Sequence, residues 1–176
     1  MEQENFLSKV DEAIRMVYTN DGDLLGLKVN ERAIAHRLAV YLERAISGKE
    51  VDCEYNRYGS NLGPKTLPGI KNCSEKKETD WIIPDIIIHL RKSKDKDNLA
   101  VFEIKSHSKL DDCDKRKLEG LTSKEGRFKY DFGVGIEFHS DQFKILLFVD
   151  GAPQLMPEGT DEKFGKNAPK VQRAHP

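Results

Sequence analysis

Three side chains in residues 81–105 (WIIPDIIIHLRKSKDKDNLAVFEIK) are of types a strand would not choose for packing: Asp85, Glu103 and Lys105. They lie in two apolar, β-branched runs joined by a charged connection, the pattern of a β-hairpin. Period-2 geometry puts Glu103 and Lys105 on one face of their strand, with Phe102 and Ile104 on the other. The first strand alternates likewise, with Ile83, Asp85, Ile87 and His89 on one face. If the chain folds back near Lys94, Asp85 comes opposite Glu103. Two carboxylates inside an apolar sheet repel each other and are costly to desolvate. A divalent cation removes that cost, and the ammonium of Lys105 beside it could steer a water or a phosphate. Oxygen ligands favour Mg²⁺ or Mn²⁺ over zinc, for the cluster offers neither His nor Cys. The chemistry this suits is phosphodiester hydrolysis, which needs an activated water, a sink for charge on the phosphate and help for the leaving oxygen. The competing use of the same charges is a buried ion pair, Lys105 with Glu103 or Asp85, which contributes little net stability.

The spacing also carries a family likeness. Pro84-Asp85 followed by Glu103-Ile104-Lys105 resembles the signature of the PD-(D/E)XK nuclease superfamily, the restriction-endonuclease-like fold, and the resemblance covers about residues 29–150. It implies a core of helix, three antiparallel strands, helix and strand, as in the small stand-alone bacterial or phage members. It also implies Asp85, Glu103 and the carbonyl of Ile104 as ligands of Mg²⁺ (or Mn²⁺), with Lys105 catalytic. The lysine would orient or deprotonate the water, or neutralise the phosphate. Glu31 would be an auxiliary acid brought to the metal by a helix. The expected substrate is nucleic acid, DNA first, and a symmetric duplex would call for a homodimer. The alternative is the same fold serving as a module that binds nucleic acid or a protein without turnover.

These residues need elements to position them. Phe6, Val10, Ile14 and Val17 predict a helix over residues 4–18, stopped by Asn20-Asp21-Gly22. A second helix starts at Asn30 as N-cap and ends before Gly48, with Ile34, Ala35, Leu38, Leu42 and Ala45 as its apolar stripe. Glu31 projects at the centre of that stripe; on its own it could equally favour the helix N-terminal dipole and bend to solvent. Residues 51–57 alternate as a strand, with Asp52 and Glu54 facing solvent, or either supporting the site if this strand borders it. The Gly/Pro/Asn/Lys-rich residues 58–80 form a loop whose Lys65, Lys71, Lys76 and Lys77 could follow a phosphate backbone or simply be solvated. A third helix covers about residues 110–121, with Leu110, Cys113, Lys117 and Leu121 on one face. Lys117 could snorkel, pair with Asp114 or reach a substrate phosphate. His107 and Lys109, just past the strand end, are further candidate phosphate contacts. Residues 130–138 and 143–150 read as two more strands, in which Gly133 and Gly135 leave a smooth patch for a helix or a ligand.

The expectation is therefore one α/β domain over residues 1–150, a mixed sheet of about five strands flanked by helices, with residues 151–176 a loosely ordered tail. A net charge of −1 gives no global pull toward nucleic acid, so binding must rest on local clusters of Lys and Arg. Three widely spaced cysteines imply neither a disulfide framework nor zinc. With no signal peptide and no apolar run of membrane length, the expected setting is the reducing cytoplasm, away from membranes.

Overall fold

The computed structural model describes residues 1–27, 29–58, 63–70, 73, 80–91 and 97–155. Helix α1 (Gln3–Gly26) buries Phe6, Val10, Ile14 and Val17, as the helical spacing predicts. Helical geometry breaks at the predicted turn, at Asp21 (φ −132°, ψ 18°), but a second helical segment follows directly and runs to Gly26. The reason is tertiary. The carboxylate of Asp21 is buried, accepts a hydrogen bond from the Tyr41 hydroxyl at 2.5 Å and pairs with Arg37 at 2.9 Å. Leu25, one turn later, is fully buried, and such packing outweighs the weak helix propensity of Asn, Asp and Gly. Both partners of Asp21 lie on α2 (Glu31–Ala45), whose cap Asn30 accepts the Arg32 N–H at 2.9 Å.

The strands are β1 (Glu50–Cys53), β2 (Arg57–Tyr58), β3 (Gly63–Pro64), β4 (Ile86–His89), β5 (Ala100–Ser106), β6 (Phe132–Phe138), β7 (Phe143–Val149) and β8 (Ala152–Gln154), with helix α3 (Asp112–Thr122) between β5 and β6. β2 and β3 form a small ladder of their own. The others make one sheet in the order β1-β4-β5-β6-β7-β8, with every pair antiparallel except β5 with β6. The α/β class and mixed sheet are those the sequence predicts, but among the described residues the sheet has six strands. The sixth comes from the start of the expected tail: residues 152–154 pair with β7 along the sheet edge. Residues 156–176 lie outside the described residues.

Each face of the sheet is covered. On one, α1 and α2 bury Ile86, Ile88, Phe102, Ile104, Val134 and Ile136, and Phe6 stacks on Phe132 with ring centroids 4.4 Å apart. On the other, α3 packs Leu118 and Leu121 against Ile87, Val101 and Phe148. The glycines of β6 are what let it settle. A Cβ at Gly133 would come within 2.9 Å of Thr122 Cγ2, and one at Gly135 within 2.5 Å of Leu110 Cδ2. The smooth patch therefore receives a helix and its leading turn.

Several local expectations are corrected. Asp52 does not face solvent. It sits 2.9 Å from His89 Nε2 and takes both arms of the Arg91 guanidinium, because β1 pairs with β4 and brings these side chains together at the sheet edge. Glu54, by contrast, is exposed as the alternation predicts, and pairs with Arg32 at 2.6 Å. Lys65 is buried, donating to the carbonyls of Tyr55 (2.9 Å) and Arg57 (2.8 Å) over the Tyr55 ring, so it braces the β2–β3 ladder and cannot lie along a backbone of phosphates. Lys71, Lys76 and Lys77 lie outside the described residues. The cysteines were expected unpaired, yet Cys73 and Cys113 form a disulfide tying the long loop to the first turn of α3; only Cys53 is left as a thiol. Sequence separation hid this, because loop and helix meet only in the fold. Such a bond persists in oxidising surroundings and counters the reading of the cysteines as reduced thiols. Among the described residues, no helix is long and apolar enough to cross a membrane.

Candidate functional site

β4 and β5 pair with Ile86 opposite Phe102, Ile87 opposite Val101 and Ile88 opposite Ala100. One step further along that register sets Asp85 across from Glu103, about the turn centre the sequence predicts. Asp85 lies just before β4, following Pro84, and its Oδ2 accepts the backbone N–H of Ile104 at 2.6 Å. Its own carbonyl accepts the Glu54 N–H at 3.1 Å, so the chain is held on both sides at this point. Ile104 buries its side chain toward α1 and α2, which turns Glu103 and Lys105 to the α3 side.

There α3 meets them with two charges of its own. Lys117 Nζ lies 2.8 Å from Glu103 Oε2, and Lys105 Nζ lies 3.2 Å from Asp114 Oδ2. Asp114 also holds Lys117, its Oδ1 lying 3.4 Å from that ammonium. The helix start fixes Asp114 in place. Asp111 Oδ1 accepts the N–H of Cys113 (2.8 Å) and of Asp114 (2.9 Å), while Asp114 Oδ2 accepts the Asp111 N–H at 3.2 Å, a reciprocal capping box. From the opposite side, Glu31 accepts the Ser106 N–H on Oε1 at 3.1 Å and brings Oε2 to 4.0 Å from Lys105. The helix acid thus turns to the end of β5 and remains partly exposed. With Val29, Asn30, Ser106 and His107 it lines a cleft of about 380 Å³.

Burial governs the electrostatics. Glu103 is 3% exposed, and its Oε1 has no hydrogen-bond partner. Desolvation pushes its carboxyl up to about 8 against the pull of Lys117. Asp85 is also raised by burial, with the Ile104 N–H, Lys117 and Lys105 opposing. Burial alone would lower Lys105, but the Asp114 carboxylate beside it, helped by Glu31, holds it above the ordinary lysine value. In Lys117, too, burial is outweighed, here by Glu103 and Asp114.

The candidate phosphate contacts fare differently. His107 has a left-handed backbone (φ 59°), and its Nε2 lies 2.7 Å from the Leu25 carbonyl. It ties the end of β5 to α1 through that nitrogen, while the partly buried residue also lines the cleft beside Glu31. Lys109 is exposed two residues on. Lys117 neither snorkels nor stands open to a phosphate; it is inward and engaged by two carboxylates. Sequence reasoning missed Asp114 as a site residue, although Asp111 and Asp114 have capping-box spacing. It also missed Glu137, which accepts the Leu110 N–H at 2.9 Å and shares a strand face with Gly133 and Gly135.

The donors present are hard oxygens, and the buried, unpartnered Oε1 of Glu103 is an acceptor that a cation would satisfy. In kind, then, Asp85 and Glu103 fit Mg²⁺ or Mn²⁺. Among the described residues no group of three or more His, Cys, Asp or Glu is gathered closely enough to hold a metal ion, and against Glu103 stands the ammonium of Lys117. Comparison with protein-family models, curated proteins and solved structures gives no match to this chain.

Proposed function

We propose that the chain is a metal-dependent nuclease hydrolysing phosphodiester bonds in DNA. The observation that carries this reading is the approach of Asp85, one step beyond the β4–β5 ladder and bonded to the Ile104 N–H, to Glu103, with Lys105 one strand period on and one oxygen of Glu103 buried without a partner. The element order supports it. α2, then β1, β4 and β5 as three antiparallel neighbours, then α3 and β6, is similar to the restriction-endonuclease-like core.

Asp85, Glu103 and the carbonyl of Ile104 would hold the cation. When bound, Mg²⁺ or Mn²⁺ would polarise the phosphate and acidify a water. The chain's own part is positional and electrostatic. The Ile104 N–H fixes the rotamer of Asp85, and Glu31 anchors the N–H of Ser106 at the mouth of the cleft. Lys105, paired with Asp114, is an ammonium; it suits neutralising charge on the phosphate better than accepting a proton from water. The test is cleavage of single-stranded, duplex and branched DNA with Mn²⁺. Wild type is expected to cut, and Lys105→Ala to cut at a rate lower by a hundredfold or more, on the order of removing one preorganised charge. Undiminished cutting by the variant would exclude the role given to Lys105.

One observation favours the second reading, a binding module without turnover. The ion pairs Lys117–Glu103 and Lys105–Asp114 balance these charges with no added ion. Metal-independent binding of DNA or a protein, with no cut product, would select it.

A further inference from the structure

The ammonium of Lys117 already engages one oxygen of the carboxylate that would hold a divalent cation, leaving the other without a partner. It sits 2.8 Å from Oε2, its side chain is 15% exposed, and that of Glu103 is 3% exposed. A divalent ion, with twice an ammonium's charge, and the ammonium of Lys117 repel strongly when both press on this one buried carboxylate. Resting on the reading of Asp85 and Glu103 as metal ligands, we infer that Lys117 is a built-in counter-ion, one that holds Glu103 until a divalent cation displaces it and then retreats onto Asp114.

The geometry supplies both ends of that movement. At the Glu103 end the pair is incomplete: one oxygen meets the ammonium while the other is buried with no partner. A lysine serving a single oxygen therefore leaves a desolvation cost that a small ion bound to both oxygens would remove. At the other end Asp114 is already 3.4 Å away, one helical turn before Lys117 on the same helix. Passage from Glu103 to Asp114 needs only rotation about the lysine's own side-chain bonds, with no change in the backbone of α3. The retreat also reaches Lys105, since the second oxygen of Asp114 is the one that holds it, at 3.2 Å. A second ammonium drawn fully onto Asp114 weakens that hold and leaves Lys105 to face a phosphate. Lys117 thereby links occupation of the acids to release of the lysine that works beside them.

Binding rather than activity tests this. Mn²⁺ is titrated into wild type, Lys117→Met, Lys117→Gln and Asp85→Asn at one pH, with the free ion read by electron paramagnetic resonance. Removing the competing charge is expected to tighten the Mn²⁺ dissociation constant about tenfold or more in both Lys117 variants. Mn²⁺ should also raise their melting temperatures more than that of wild type, and Asp85→Asn should lose binding. Lys117→Gln keeps a donor to Glu103 and carries the test should Lys117→Met fail to fold. A Lys117 variant that folds only when Mn²⁺ is added supports the inference. Equal affinity in wild type and the variants, lost in Asp85→Asn, would overturn the competition while leaving the metal reading intact. No binding by wild type or either Lys117 variant would overturn both.

Discussion

Asp114 does three things with one carboxylate. It closes the capping box with Asp111, it takes Lys105 on one oxygen and it meets Lys117 on the other. Replacing it with asparagine keeps an oxygen for the Asp111 N–H but removes the charge that both lysines face. The expected result is a fall in turnover of about tenfold, equivalent to about 1.4 kcal/mol of transition-state stabilisation, with little change in melting temperature. Turnover and thermal melting measured on the same preparation check it. A large loss of stability with turnover per folded molecule unchanged would assign Asp114 to the helix alone.

At the scale of elements, α3 is held at its start by the cap and the disulfide. The N–H of Asp114 holds the Asp111 carboxyl below the usual carboxylate range, with Cys113 N–H, Lys105 and Lys117 adding to this against burial. A carboxylate depressed in the folded state contributes stability above the ordinary range near pH 4, and that contribution is lost as pH falls through its folded value. Asp111→Ala should therefore cost about 1 kcal/mol at neutral pH and less near pH 3, as read from urea midpoints. An equal cost at both pH values would show that the charge of the cap is irrelevant. The Cys73–Cys113 bond closes a loop of sequence separation 40. Reduction should lower stability by about 2–4 kcal/mol in thermal melts with and without a dithiol reductant. Cys53→Ser, which alters the exposed thiol alone, should leave that difference unchanged.

Across the whole molecule, what was legible in the sequence is what short-range periodicity encodes. Alternation in residues 81–105 assigns the faces of β4 and β5, and a fold-back centred near Lys94 gives the register that brings Asp85 toward Glu103. Helical spacing marks the buried faces of α1 and α2. What stayed hidden depends on elements distant in sequence. A second helical segment follows the break at Asp21 because Tyr41 and Arg37 hold that residue against α2, Lys65 is buried on the carbonyls of Tyr55 and Arg57, and Cys73 finds Cys113 across the fold. Lys117 could be placed on a stripe with Leu110 and Leu121, but no rule of spacing shows that α3 would lay its ammonium against Glu103. The account stands on Asp85 and Glu103 sharing a hard cation, and a crystal soaked in Mn²⁺ examined by anomalous diffraction tests that most directly. The expected result is one peak between the two carboxylates, about 2.1 Å from an oxygen of each, with Lys117 moved off Glu103. Full soaking with Lys117 still on Glu103 and no peak between the acids would contradict it.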